Sequence, residues 1–435
     1  MDISKRPSGA RGETAALMSH ESRARVAIER CRSLATYSED SRGTCRTFLS
    51  SPMRDVHREI RRWIEPLGVD VRIDAAGNLR ALYPGAERDA PRLLIGSHLD
   101  TVPNAGAFDG VLGVVLGVAL LEALDGRRLP FALELAGFSE EEGVRFGAPF
   151  IGSRALVGRL DAELLACEDT AGISVRRAIE DFGLDPRKIP AAQVADGELG
   201  FLEFHIEQGP VLEEMNRPLG VVEAIAGQTR MEFVFAGSAN HAGTTPMSAR
   251  HDALAGAAEW IGAVEREARR VPGLVATVGR VTSAPGAVNV ICGEARAALD
   301  ARHGTDEMRH AAVKALVNAA SEIAARRGLT VRHSVMMDQP AVAMDAELTA
   351  LAEEAVRRAG CEPHRMVSGA GHDAMILAEK IPATMIFLRT PGGVSHDPSE
   401  TVRLDDVAKA IEAGMLLLER IASRPAATQR RTKLA

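Results

Sequence analysis

Apolar and polar positions alternate along the chain in blocks of strand length separated by stretches of helix length. Residues 69–83 carry two short apolar-rich arms around Ala75-Ala76-Gly77-Asn78, a pattern that predicts a β-hairpin. Residues 93–99 form a short apolar run that ends in a polar cluster. Residues 112–124 have helical spacing, and residues 133–138 read as a buried strand ending in three glutamates. This alternation predicts an α/β fold whose sheet carries helices on both faces. In such sheets ligands bind beyond the carboxyl ends of the strands, and the polar clusters fall at those ends.

The texture changes near residue 222. Residues 231–235 alternate like a half-buried strand, and residues 252–269 are amphipathic and helical. Residues 274–281 and 295–300 read as strands, 306–327 as a long helix and 330–336 as a final strand. The order β-α-β-β-α-β is that of a ferredoxin-like α+β unit. After Gln339-Pro340 the α/β texture returns, with a helix at 346–359, a strand at 384–388 and a helix at 407–421. The expected organisation is a larger domain in two parts, 20–222 and 339–423, interrupted by a smaller one at 223–338. Polar segments 1–19 and 424–435 read as flexible tails.

At 435 residues the chain exceeds what one hydrophobic core supports. A net charge of −7 argues against nucleic acid as a partner, because phosphate binding needs a basic face. The five cysteines are odd in number and form no C-x-x-C pair, which fits free thiols in a reducing compartment. The first residues lack the apolar core of a secretory signal. The longest apolar run, 111–121, is too short to span a bilayer and is broken by glycines. A cytoplasmic protein with no membrane partner is expected.

Metal-capable side chains recur at the polar clusters. His98 lies in GSHLDT, with Asp100 two residues on, where a carboxylate can orient an imidazole ligand. Asp109 lies in GAFDG, and its two oxygens can bridge two cations. Glu140, Glu141 and Glu142 follow the next strand, His205 lies in FHIEQGP, and His396 in GGVSHD. Adjacent carboxylates repel, so they need cations or open solvent. Each piece alone has a bland reading: a surface histidine, a solvated helix start, an Asp-Gly turn. Together they form a nitrogen and oxygen ligand set without cysteine, which suits Zn, Mn, Co or Ni. Gly110, Gly113 and Gly117 fit no nucleotide-binding spacing and are expected to serve close helix packing. His372, beside a glycine loop, reads equally as a substrate contact or a cap. Cys167 and Cys292 read as packing residues.

The ordered set GSHLDTVPNAGAFDG, SEEEG, FHIEQGPVLE, GQTR, NHAGTTPM, SGAGHDAM and GVSHDPSE resembles the hydantoinase/carbamoylase amidases, which belong with the aminoacylase and carboxypeptidase-G-type di-metal hydrolases. The resemblance runs from about residue 30 to 422. It implies a di-metal exopeptidase-like catalytic domain with an inserted lid that also makes a homodimer. By resemblance, His98 and His205 would hold one divalent metal ion and Glu142 and His396 the other, with Asp109 bridging and Asp100 backing His98. Glu141 would be the general base. His241 of the lid would stabilise the transition state in the partner's site. Asn289 and Arg302 would grip a substrate carboxylate, and Gln208 and the loop 368–371, with Gly371, would line the pocket.

The implied activity is hydrolysis of the ureido C–N bond of N-carbamoyl-L-amino acids to amino acid, carbon dioxide and ammonia. Allantoate and β-ureidopropionate are alternatives within the same chemistry. Peptide or N-acyl hydrolysis is an alternative of another class, and a metal-free binding protein would require a lost ligand, whereas all five are present.

Overall fold

A computed structural model describes residues 18–424, so the two expected tails lie almost wholly outside the described residues. Arg424, taken from sequence as the first residue of the C-terminal tail, is instead held by an ion pair to Glu347.

Strand β1 (Thr44–Arg46) follows the helix His20–Ala35, and the helix Ser51–Ile64 leads to β2 (Asp70–Ile73) and β3 (Leu79–Tyr83). These two strands form the expected antiparallel hairpin. Its turn is closed by Gly77 N–H donating to Asp74 O at 3.0 Å, and the Asp74 carboxylate accepts from the Ala76 and Asn78 amides. Next come β4 (Arg92–His98), β5 (Thr101–Ala105), the helix Val111–Ala123 and β6 (Ala132–Phe138). Short helices fill 151–192 before β7 (Gly200–Ile206) and β8 (Leu219–Ile225). The middle of the chain supplies β9 (Gly227–Ala236), the helix Ala253–Arg270, β10 (Val275–Ala284), β11 (Glu294–His303), the helix Asp306–Arg326 and β12 (Thr330–Gln339). The chain then returns through β13 (Val342–Ala343), the helix Ala346–Arg358, β14 (Arg365–Ser368), the short helix Asp373–Leu377, β15 (Ala383–Leu388) and the helix Leu404–Ala422.

The large sheet has nine strands in the order β13-β8-β15-β7-β4-β6-β3-β2, with β14 beside β8. Strands β15, β7, β4 and β6 run parallel to their neighbours in this group, so their carboxyl ends meet at one edge. One face packs the helices His20–Ala35, Val111–Ala123, Ala346–Arg358 and Leu404–Ala422; the other packs Ile151–Val157 and Asp373–Leu377. The helix Val111–Ala123 is apolar on every side because it is buried from Val111 through Leu121. Its glycines act as spacers: a Cβ at Gly113 would lie 2.1 Å from Phe204 O, on β7.

The second sheet is antiparallel in the order β10-β11-β9-β12, the ferredoxin-like arrangement expected from sequence. Met231, Phe233 and Phe235 of β9 face both long helices, where Trp260 Nε1 donates to Leu316 O at 3.0 Å. The small residues Ala295, Ala297 and Ala301 of β11 leave room for that packing. Two connections join this unit to the large sheet, and Arg309 ties them. It is buried and paired with Asp306 at 2.8 Å and with Asp338 and Thr229, while Asp306 accepts from Ala341 N at 2.8 Å.

The helix spacers yield a test. Gly113→Ala forces a methyl group into the β7 backbone, and such overpacking costs about 1–3 kcal/mol. A lower thermal unfolding midpoint is expected; an unchanged midpoint would show that Gly113 is not set by this contact.

Candidate metal centre

His98 is the last residue of β4, His205 sits one residue before the end of β7, Glu141 and Glu142 follow β6, and His396 follows β15. Asp109 lies in the loop that enters the helix Val111–Ala123. At Gly110 the chain has φ +65°, and a Cβ there would lie 2.4 Å from the His98 ring, so only glycine lets the helix start this close. The parallel order of four strands thus brings together residues up to 298 positions apart, from His98 to His396.

The loops are fixed before any ligand arrives. Asp100 accepts from Glu141 N at 2.9 Å and from Glu142 N at 3.1 Å, which ties the glutamate loop to β4. The expected backing of His98 by Asp100 comes chiefly through the main chain: His98 Nδ1 lies 3.0 Å from Asp100 O and 3.5 Å from its carboxylate. His205 Nδ1 lies 2.8 Å from Ile206 O. A carbonyl only accepts, so both rings donate from Nδ1 and turn Nε2 into the site. The glutamate triplet is no solvated helix start, since Glu140 and Glu141 are buried in a loop.

The Asp109 carboxylate divides the cluster in two. Oδ1 lies 3.2 Å from His205 Nε2 and 3.6 Å from His98 Nε2. Oδ2 lies 3.2 Å from His396 Nε2, which is 3.5 Å from Glu142 Oε1. Three sets could each hold a cation: His98 with Asp109 and His205; His98 with Glu141 and Glu142; and Asp109 with Glu142 and His396. Asp109 Oδ1 is buried and has no hydrogen-bond donor, a costly state that a cation would relieve. The residues present therefore fit a metal group.

Electrostatics agree. Burial disfavours a charged His98, but Asp100 and Asp109 outweigh it and hold its pKa well above the usual range. Asp109 and Glu142 push His396 up to about 10. Burial would raise Asp109, yet the surrounding histidines hold it well below the ordinary carboxylate range. Burial, opposed by His98 and reinforced by Glu142, raises Glu141 well above its usual value.

A cavity of about 440 Å³ opens over the cluster, with Phe150, Met337 and Met375 on its apolar side. Gln208, Arg302 and Gly371 line it as expected. Gln208 also donates to Asp109 Oδ2 at 3.0 Å. Its backbone has φ +58°, and so has that of His396, two strained positions that frame the Asp109 carboxylate. His372 lines the cavity and is the N-cap residue of the helix Asp373–Leu377, though its side chain makes no capping bond: it is buried, 2.8 Å from Ser368 Oγ, with its ring 4.5 Å from that of His205. His241 and Asn289 are not brought to this cavity. They lie side by side in the small domain, where Ala242 N donates to Asn289 O at 2.9 Å, and both are exposed.

Sequence reasoning missed three residues. Glu400 accepts from Phe108 N at 2.8 Å and Asp109 N at 3.0 Å, so it clamps the bridging loop from 291 residues away. Burial, with repulsion from Asp109, raises its pKa to about 7. Glu203, buried beneath His205, accepts from Ser97 Oγ and Ala374 N. Gln228 lines the cavity. The motifs GVSHDPSE and GQTR contained Glu400 and Gln228, but only the fold shows what they face.

Known proteins agree with this geometry. The family model for peptidase family M20/M25/M40 matches residues 94–420. An N-carbamoyl-L-amino acid amidohydrolase of Geobacillus stearothermophilus is 39% identical over 377 residues, covering 86% of this chain and 92% of that protein. An allantoate deiminase of Arabidopsis thaliana is 36% identical over 432 residues, covering 92% and 82%. Among solved structures, a hydantoinase/carbamoylase family amidase from Burkholderia multivorans superposes with a TM-score of 0.87 at 30% identity, covering 93% of this chain and 98% of that one.

Ligand histidines must shed their protons to bind a cation. Asp109 and Glu142 hold His396 charged above neutral pH, so uptake of Zn or Mn at pH 7 should release protons and tighten as pH rises. His396→Ala should release fewer protons and bind less metal. A weakly buffered titration showing metal uptake without proton release would contradict this assignment.

Proposed function

The chain belongs to peptidase family M20/M25/M40 and is a hydrolase of carbon–nitrogen bonds, and we propose that it cleaves the ureido bond of N-carbamoyl-L-amino acids with two divalent cations. The observation that carries this reading is the divided Asp109 carboxylate, whose Oδ1 faces His98 and His205 while Oδ2 faces His396 beside Glu142. One cation would sit among His98, His205 and Asp109, the other among Asp109, Glu142 and His396, with Zn, Mn, Co or Ni suited to the donors. The relatives named above support the ureido substrate, and allantoate is a second reading on the strength of the Arabidopsis relative.

The cations would polarise the ureido carbonyl and bring the pKa of a water toward about 7. Glu141 takes the proton of the attacking water on its carboxylate and returns it to the nitrogen of the leaving amine. The other product is a carbamate, which decomposes to carbon dioxide and ammonia. Burial of Glu141 raises its proton affinity, as a base requires. His241 Nδ1 accepts from Gly243 N at 3.0 Å, which leaves the proton on Nε2 to be donated to the developing oxyanion. His241 and Asn289 stand exposed outside their own chain's cavity, which supports their acting in the site of a partner. A homodimer through the small domain, with 223–338 as lid, would place them there; its strands leave Val275, Val281, Val335 and Met336 exposed for such contact. Five free thiols support a reducing, cytoplasmic setting.

Ammonia release from a panel of ureido acids by metal-reconstituted enzyme tests the activity; turnover only of peptides or N-acyl amino acids would overturn it. Glu141→Gln should keep its metal and lose about 10²–10⁴-fold in kcat, whereas Glu142→Gln should lose metal. The reverse pattern would exchange the two roles.

The lid reading has its own test. His241→Ala and Glu141→Gln should each be nearly inactive as homodimers. If His241 acts across the dimer, exchange of subunits puts both defects in one site and none in the other. Activity should then return toward about half per mixed dimer when sites are independent. No recovery after exchange shown by mass labelling would place His241 outside the partner's site.

A further inference from the structure

The register of the small antiparallel sheet sets six side chains in two rows. Met337, Arg230 and Asp300 stand across one row, and Gln339, Gln228 and Arg302 across the next. Residues two apart on a strand share a face. This face is turned away from the two long helices, because Met231, Phe233 and Leu299 pack against those on the other side. Five of the six line the cavity over the metal-ligand cluster, and Asp300 stands behind them.

Asp300 organises the donors. Its Oδ1 accepts from Arg302 Nε at 2.9 Å, and its Oδ2 accepts from Arg302 Nη2 at 3.1 Å, from Arg230 Nε at 3.0 Å and from Gln228 Nε2. One carboxylate thus holds three donor side chains, Arg230 by its inner Nε–H alone. Arg302 gives another N–H to Gly369 O at 2.7 Å, so two of the five N–H groups of a guanidinium remain. Those two suffice for one substrate carboxylate, gripped end-on. Arg230 gives Asp300 only its Nε–H and lines the cavity, so its terminal N–H groups remain as donors there. Asp300 offsets one of the two guanidinium charges and a substrate α-carboxylate the other, so what Arg230 offers a second group is unused hydrogen-bond donors. Arg230 also stands one row, about 7 Å along the strands, from Arg302.

Resting on the ureido-acid reading above, the geometry points to Arg230 as a specificity-determining residue. It takes a second acceptor group of the substrate, a side-chain carboxylate or a second ureido carbonyl, and Asp300 is the residue that positions it. Met337, Phe150 and Met375 form the apolar wall that the carbon skeleton between the two groups would meet.

The test compares kcat/KM for N-carbamoyl-L-aspartate and for allantoate, each divided by the value for N-carbamoyl-L-alanine, in wild-type and variant enzyme of equal metal content. Charge-assisted hydrogen bonds in such sites are strong enough that Arg230→Met should lower at least one ratio about tenfold or more. A fall for the aspartate derivative alone assigns a carboxylate, and a fall for allantoate alone assigns a ureido group. Arg230→Lys keeps the charge and loses the fork, so it should hold the aspartate ratio nearer wild type than Arg230→Met does if the group is a carboxylate. Asp300→Asn should raise KM for all three substrates more than it lowers kcat, with metal content retained; a purely structural role would lower kcat and metal together. Both ratios unchanged in Arg230→Met would overturn the inference. If wild-type enzyme turns over none of the three, the activity reading fails separately. Binding of L-aspartate against L-alanine by calorimetry, in wild type and Arg230→Met, then decides the role of Arg230 by the same ratio.

Discussion

A buried carboxylate held among three imidazoles is the constraint around which the rest of the molecule is arranged. Asp109 is almost fully buried, and one of its oxygens meets no hydrogen-bond donor. Isolated buried charge is too costly to keep unless it is paired or coordinates a metal. Every element nearby serves that carboxylate: Gly110 admits the helix start, Glu400 clamps the loop, Gln208 and Ser395 hold the second oxygen, and Asp100 fixes the glutamates opposite. In the proposed function, cations at the two sides of Asp109 would convert this concentration of charge from a liability into a reactive centre.

The division of the chain follows from the same centre. The parallel strands supply rigid ligands at one edge, and such precision needs a sheet buried on both faces. In the proposed function, substrate recognition would fall to the open face of a second sheet, whose donors are ordered by Asp300 and whose two connections are locked by Arg309. The metal-capable cluster and the proposed recognition face therefore rest on separate hydrophobic cores.

Much of this was legible in the sequence. The hairpin at residues 69–83 and the β-α-β-β-α-β unit each have a distinct apolar period, the glycine-bearing helix is a continuous apolar run, and all were found where expected. The five metal-capable residues were legible because each lies in a run of polar residues at or just beyond the end of an apolar segment. Strands β7, β8 and β14 carried no such period: β7 is buried throughout, so Glu203 and His205 lie within it without any alternation to mark them. Glu400 and Asp300 act on partners fixed only by tertiary register, which no local pattern encodes. Asp100 backs His98 through its main-chain carbonyl at 3.0 Å as well as its carboxylate at 3.5 Å, a division that spacing does not reveal.

The most direct test is anomalous diffraction from crystals of the metal-loaded protein, collected at the absorption edge of the bound element. The account requires two peaks about 3.5–4 Å apart, one beside His98 and His205 and one beside Glu142 and His396, with an oxygen of Asp109 on each. A single peak, or two peaks of which neither touches Asp109, would contradict it.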